Sequence, residues 1–250
     1  CLLSRGLGDV YKRQVERLMG GKQATLILTD PPYNASYKSA SGLSIKNDTM
    51  EDSAFYQFLL DSLTNMATVC EPGASAYVFH ADTEGLNFRR AFKEAGFYLS
   101  GTCIWVKNSL VLGRSPYQWQ HEPILFGWKT DGKHRWFADR KQTTVWRFDQ
   151  PSKNSEHPTS KPLDLMGYPI INSTPTNAIV LDCFAGSGST LMAAAQLDRV
   201  CYAMELDPKY ASVTLRRYAE ATGDAAGITC TRGGKEYEYL DLVKQVGRGK

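Results

Sequence analysis

Between residues 178 and 208 the chain carries a unit with few ways to fold. Ala178-Ile179-Val180-Leu181-Asp182 is an apolar run of strand length that ends on an acid. Phe184 to Ser189 is a glycine-rich turn, and Thr190 to Leu197 has the composition of a short helix. Val200 to Leu206 is a second strand-length run, and Asp207-Pro208 then offers a capping side chain followed by proline at a first helical position. A strand, a helix and a strand joined by such short turns form a parallel crossover unit, because parallel neighbours need a connection of about a dozen residues or more.

The same alternation runs through the first half. Ala24 to Thr29 is a strand-length run closed by Asp30-Pro31-Pro32. Residues 53–70 carry a helical period through Phe55, Leu59, Leu63, Met66 and Val69, and stop at Glu71-Pro72-Gly73. Ser75 to Phe79 reads as a strand, 83–95 as a helix ended by Gly96, Phe97 to Val106 as a strand and Pro123 to Trp128 as another. Residues 107–161 show no regular period, and neither an internal repeat nor a low-complexity tract is present. The expected class is α/β, with a mostly parallel sheet and helices on both faces.

Two segments carry chemistry. In Asp182-Cys183-Phe184-Ala185-Gly186-Ser187-Gly188-Ser189-Thr190, two residues without Cβ let the backbone turn sharply and approach a ligand. Glu205 follows Asp182 by 23 residues, at the end of the next strand, where a carboxylate can accept hydrogen bonds from ribose hydroxyls. No third glycine completes a dinucleotide fingerprint and no lysine follows Gly188 as in a phosphate loop, so the unit reads as a nucleoside-cofactor turn. The second segment is Asp30-Pro31-Pro32-Tyr33, directly after a strand. The prolines fix φ and stiffen the corner. The acid and the Pro31 carbonyl can accept both N–H groups of an exocyclic amine, directing its lone pair at an electrophile, and Tyr33 offers a face on which an extruded base can stack.

Asp-Pro-Pro-Tyr near the start and Phe-Ala-Gly-Ser-Gly-Ser some 150 residues later resemble the β-class amino-methyltransferases of DNA. His157-Pro158-Thr159-Ser160-Lys161-Pro162 resembles a further cofactor-contacting motif of that class, and Tyr117 to Leu125 with Asp139-Arg140 and Thr144-Val145-Trp146 looks like the phage and prophage-type adenine methylases. The resemblance spans roughly residues 15–222 and implies a Rossmann-like fold that binds S-adenosylmethionine. It implies that Asp30, Pro31, Pro32 and Tyr33 form the catalytic corner, and that Asp182, Phe184, Gly186, Gly188 and Ser189 line the cofactor. Glu205 would hold the ribose, and Thr159, Ser160 and Lys161 would lie near the methionine carboxylate. The implied reaction is methylation of adenine N6 in double-stranded DNA. N4-cytosine methylation and a catalytically incompetent DNA-binding fragment stand as alternatives. An RNA or protein amide methyltransferase usually has Asn first in the corner motif and places it after the glycine turn, so the order here disfavours that class. A homodimer and a cognate restriction endonuclease would suit such a family.

The window from Lys107 to Lys161 holds ten Lys and Arg against five Asp and Glu, in a chain of net charge +3, together with Trp119, Trp128, Trp136 and Trp146. Basic residues interleaved with aromatics suit phosphate and base contacts, so about 107–156 is expected to be a target-recognition insert, with Arg114, Lys129, Lys133, Arg135, Arg140 and Lys141 as the DNA-binding candidates. His121, His134 and His157 have no nucleophile to pair with. The six cysteines form no Cys-x-x-Cys pair, and no metal site is expected. No run of about 18 apolar residues suggests a membrane span. Free thiols suit a reducing cytosol, here of a bacterium or a phage-infected host. Residues 1–14, opening on Cys1, are set aside as a non-native or truncated start, leaving 15–250 as a single expected domain.

Overall fold

The computed structural model describes residues 6–34, 49–113, 115–150 and 160–247. The chain divides into two compact units, Cys1–Ala185 with Ser189–Met204, and Gly186–Gly188 with Glu205–Lys250.

The first unit is built on a seven-stranded sheet. Its strands are β1 (Ala24–Thr29), β2 (Cys70–Phe79), β3 (Phe97–Val111), β4 (Trp119–Lys129), β5 (Val145–Arg147), β6 (Ile179–Asp182) and β7 (Val200–Ala203), in the order β5-β3-β4-β2-β1-β6-β7. The pairs β1–β2, β1–β6, β6–β7 and β3–β5 are parallel, whereas β4 runs antiparallel to both neighbours. The sheet is therefore mostly parallel, with β4 its one reversed strand.

Leu26, Ile27 and Leu28 are all fully buried, as a strand covered on both faces requires. Their alternation sorts two layers. On one face Ile27, Ala76, Val78 and Leu125 pack against α1 (Gly6–Met19), α2 (Asp52–Thr68) and α3 (Gly85–Glu94) through Val15, Met19, Phe55, Leu59, Phe88 and Phe92. On the other face Leu26, Leu28, Tyr77, Phe79 and Ile124 meet α4 (Leu163–Ser173) and α5 (Ser189–Gln196) through Leu165, Met166, Ile170, Ala193 and Ala194. Each fully buried large apolar side chain contributes about 1.5–3 kcal/mol over leaving it in water. Helix α1 crosses residue 14 without a break. The basic window contributes the end of β3, β4 and β5 to the sheet.

The chain leaves β1 through α2 for β2 on one side, and leaves β6 through α5 for β7 on the other. The strand order thus reverses between β1 and β6, and in open α/β sheets ligands bind beyond the carboxyl ends of the strands at such a point.

The second unit holds α6 (Pro208–Thr222), an antiparallel hairpin of β8 (Thr229–Arg232) and β9 (Lys235–Glu238), and α7 (Tyr239–Gly247). The Asp207 side chain accepts from Lys209 N at 2.9 Å and Pro208 opens α6, while Gly223 closes it at φ 67°. Among the described residues no helix is long and apolar enough to cross a membrane, and no group of three or more His, Cys, Asp or Glu is placed to hold a metal ion.

Candidate active site

Strands β1 and β6 are locked together at their carboxyl ends. The buried Thr29 hydroxyl donates to Asp182 Oδ1 at 2.7 Å, Phe184 N donates to the same oxygen at 3.1 Å, and Thr190 Oγ1 donates to Oδ2 at 2.5 Å. Asp182 therefore ties the end of β1 to the glycine-rich turn and to the first turn of α5. Burial pushes its carboxyl up to about 6, against the three hydrogen bonds that favour the charged form, and the charge of Asp30 adds to the rise. The Phe184 ring meets Phe58 of α2 edge-on at 5.8 Å, so it forms part of the core beside the turn.

Directly after Thr29, the Asp-Pro-Pro-Tyr corner gathers a charged network. Tyr33 Oη donates to Asp30 Oδ1 at 2.5 Å and lies 3.1 Å from Glu122 Oε2. Lys161 Nζ reaches Asp30 Oδ2 at 2.6 Å, Glu122 Oε2 at 3.1 Å and Tyr33 Oη at 3.3 Å. Behind Glu122, Lys107 Nζ pairs with Oε1 at 2.7 Å. Lys161 also lies over the rings of Phe79 and Tyr33, at 5.1 and 5.5 Å from their centroids. Asn34 ends the corner at φ 57°, a conformation Asn tolerates, and its side chain exchanges two hydrogen bonds with the Met50 backbone.

Burial acts against the charges of Glu122 and Lys161, and their partners overcome it. It would raise the Glu122 carboxyl, but Lys161 and Lys107 hold it at about 2. It would lower the Lys161 ammonium, but Asp30 and Glu122 lift it above its ordinary value. Burial, then the charges of Asp30 and Glu122, keep the Tyr33 phenol well above its usual range and so protonated.

Ser189, at the start of α5, buries its hydroxyl with no hydrogen-bond partner among the described residues. In the second unit, Gly186 and Gly188 take φ of 53° and 82°, the region that favours glycine. A Cβ on Gly188 would stand 2.5 Å from Thr214 Cγ2. Glu205 accepts from Gly186 N at 2.8 Å with one oxygen and from Asp207 N at 2.7 Å with the other. Arg217 donates to Ser187 O and Oγ at 2.5 and 3.0 Å.

The expected site residues thus fall into several groups. Asp30, Tyr33 and Lys161 are in contact, and Lys161 meets the acid of the corner. Asp182 joins them through Thr29. Thr159 and Arg114 lie outside the described residues, as does His157. Three of the basic candidates sit where β1 and β2 begin, at the rim opposite Asp30. There Lys129 pairs with Asp131 at 2.9 Å, Arg135 pairs with Glu71, and the Lys133 carbonyl crowds Gly73. Arg140 lines a shallow cavity with Phe126, Trp128, His134 and Trp136, and Lys141 N donates to Asp139 at 2.9 Å. Trp146 is buried, Trp128 stacks on His134 at 4.2 Å, and Trp119 is exposed.

Two residues escaped the sequence reading: Glu122 and Lys107. Their signal is a charge in phase with buried neighbours on a strand. Lys107 follows Cys103 and Trp105 at spacing two, and Glu122 lies opposite Trp105 in the β3–β4 register.

Comparison with known proteins points the same way. The family described as DNA methylase matches residues 24–216. YubD of Escherichia coli (strain K12) is 30% identical over 216 residues, covering 80% of this chain and 83% of YubD. The DNA adenine methyltransferase YhdJ of Escherichia coli (strain K12) is 26% identical over 225 residues, 77% of this chain and 75% of YhdJ. Further relatives are described as Type II methyltransferases. Among solved structures, the M1.HpyAVI–SAM complex superposes with a TM-score of 0.64 at 25% identity, covering 84% of this chain and 96% of that one.

Proposed function

The chain belongs to the DNA methylase family, whose members move a methyl group from S-adenosylmethionine to an amino nitrogen of a DNA base, and from that premise we propose that its target is N6 of adenine. One observation carries the reading: Thr29, directly before the Asp-Pro-Pro-Tyr corner, hydrogen-bonds Asp182, the strand residue that opens the cofactor-type segment far along the chain. An acid as first residue of the corner, Asp30, supports adenine over cytosine, as does the relative named as an adenine methyltransferase.

The residues suit the cofactor. Ser189 has a buried hydroxyl without a hydrogen-bond partner among the described residues. Glu205 spends one lone pair of each oxygen on backbone N–H groups and keeps others for ribose hydroxyls. From the resemblance of their motifs, Asp182, Phe184, Gly186, Gly188, Ser189 and Glu205 are assigned to cofactor binding. S-adenosylmethionine supplies a methyl group bound to a sulfonium, and so an electrophilic carbon.

The rest falls to the chain's own side chains. Asp30 and the Pro31 carbonyl accept the two amino N–H groups of a flipped adenine, turning the nitrogen lone pair out of conjugation. Tyr33 holds the base by stacking. Pro31 and Pro32 keep the acid and the ring in fixed relation, so positioning supplies much of the rate. A restriction-modification setting, with a homodimer and a companion endonuclease, belongs to the same proposal and is supported by the relatives described as Type II methyltransferases.

Mass spectrometry of nucleosides from DNA treated with the protein and S-adenosylmethionine tests the reading. The expected product is N6-methyladenine, absent with Asp30→Ala although that variant keeps its cofactor affinity within about tenfold. N4-methylcytosine would replace the adenine assignment. No methylated nucleoside, or unimpaired turnover by Asp30→Ala, would sink the proposed chemistry.

A further inference from the structure

Adenine and cytosine share a pattern at the edge where amino-methylation occurs: an N–H donor on the exocyclic amine beside a ring nitrogen that accepts, N1 in adenine and N3 in cytosine. Guanine and thymine present the reverse there, a carbonyl acceptor beside a ring N–H. A site that sets a carboxylate oxygen beside a cationic donor complements the first pattern and leaves both groups mispaired against the second.

Such a pair stands at the corner. Asp30 Oδ2 and Lys161 Nζ are 2.6 Å apart, close enough to meet two adjacent atoms of one base edge. An ammonium has three protons to donate. Among the described residues Asp30 takes one, Glu122 takes a second at 3.1 Å, and the third meets Tyr33 Oη at 3.3 Å, where a hydrogen bond is weak. Asp30 likewise accepts one donor on each oxygen, from Tyr33 and Lys161, and keeps lone pairs for an amino N–H. The Lys161 side chain is 12% exposed, so water offers its third proton little competition.

Glu122 fixes the direction of that ammonium. Its Oε2 faces Lys161 while its Oε1 is held by Lys107, itself 8% exposed. Lys107, Glu122, Lys161 and Asp30 thus form a chain of alternating charge, and among the described residues the charged groups facing Lys161 are Asp30 and Glu122, with the phenol of Tyr33 beside them. Their charges keep Lys161 protonated in spite of its burial.

We propose that Lys161 reads the ring nitrogen beside the target amine, as a specificity-determining partner of Asp30, and that Glu122 backed by Lys107 positions it. The inference deepens the amino-methylation reading and rests on it. It separates bases with an amidine edge from the other two, and leaves the choice between adenine and cytosine to other contacts.

Duplexes carrying the mapped target, with the target adenine replaced by 1-deazaadenine, test it. This analogue keeps the amino group and has a C–H where the ring acceptor was; 3-deazacytosine serves if the product is N4-methylcytosine. The wild-type chain is expected to prefer the natural base by about a hundredfold in kcat/KM, the order that one hydrogen bond to a charged group commands. Lys161→Met is expected to lower that ratio at least tenfold. Any intrinsic reactivity difference between the two amines appears in both proteins and cancels in the comparison. Glu122→Gln is expected to fall between them. The double variant Lys107→Met with Glu122→Leu removes both buried charges together, and is expected to melt near wild type while losing the preference as Lys161→Met does.

A ratio left unchanged by Lys161→Met, or a wild-type chain that methylates both duplexes equally, overturns the role of Lys161. A double variant with the full wild-type preference overturns the positioning role and makes the Lys107–Glu122 pair merely structural. A wild-type chain that methylates neither duplex nor any other DNA overturns the amino-methylation reading itself, and this inference with it.

Discussion

Both rims of the main sheet carry carboxylates paired with lysine or arginine, but in different surroundings. Where β1 ends, Glu122 lies between Lys107 and Lys161, with side-chain exposures of 19%, 8% and 12%. Where β1 begins, Glu71 pairs with Arg135 and Asp131 with Lys129, and all but Lys129 have a third to a half of the side chain open to water. Water screens an exposed pair almost to nothing, whereas a buried one has given up its hydration and depends on its partners. The same residue types therefore serve as surface trim at one rim and as a fixed electrostatic frame at the other.

Removing a carboxylate from each rim should break or confirm that contrast. Glu122→Ala leaves Lys107 and Lys161 short of a counter-charge in a buried site, and is expected to cost about 3–5 kcal/mol of folding stability. For a chain of this size that is a fall of roughly 10 °C in Tm by calorimetry. A change under about 1 kcal/mol would mean that the inner rim is as wet as the outer one.

Acid titration sharpens the contrast through two carboxylates shifted in opposite directions. Glu122 is held at about 2, so its contribution is in place at neutral pH and is lost as pH falls from its ordinary range toward 2. Asp182 is pushed up to about 6. Between about 4 and 6 the folded state therefore binds a proton that the unfolded state does not, and stability rises as pH falls through that window. Protonating a carboxyl lifted that far is worth about 3 kcal/mol. Asp182→Asn is expected to abolish that rise, read as urea midpoints between pH 4 and 7. A variant whose pH curve parallels wild type across the window would show that the Asp182 carboxyl is not buried in solution.

The smallest effect belongs to the outer rim. Arg135→Ala is expected to change stability by less than about 1 kcal/mol and to leave methyl transfer intact. A large loss of DNA affinity in that variant, measured by fluorescence anisotropy at fixed salt, would instead mean that duplex reaches the far rim of the sheet.

Much of this architecture is written locally. The helical period through Phe55, Leu59, Leu63 and Met66 marks α2, and the apolar run before Asp30 marks β1 to the residue. Helix α4 is hidden because Gly167 and Pro169 interrupt a pattern that tertiary burial of Leu165, Met166 and Ile170 sustains. The reversed direction of β4 is hidden as well, since a strand reads alike in either sense until its neighbours are known. The hairpin β8–β9 is largely exposed and offers no alternation between a buried and a solvated face. At the site, the corner and the glycine turn were legible as motifs, while Glu122 and Lys107 looked like ordinary charges in a basic window.

The sequence alone determined those features that neighbouring residues enforce: the stiff Pro31-Pro32 corner, the turn that needs positive φ at Gly186 and Gly188, the Asp207 cap on α6, and the family to which these motifs belong. Tertiary structure decided which groups meet. Thr29 and Asp182 are 153 residues apart, Asp30 and Lys161 are 131 apart, and Tyr33 and Glu122 are 89 apart, yet each pair is within hydrogen-bond reach. Backbone sterics act over a few bonds, so a short stretch of sequence fixes them. Charge pairing acts through space between largely buried groups, and it exists only once the order and direction of the strands have closed the distance.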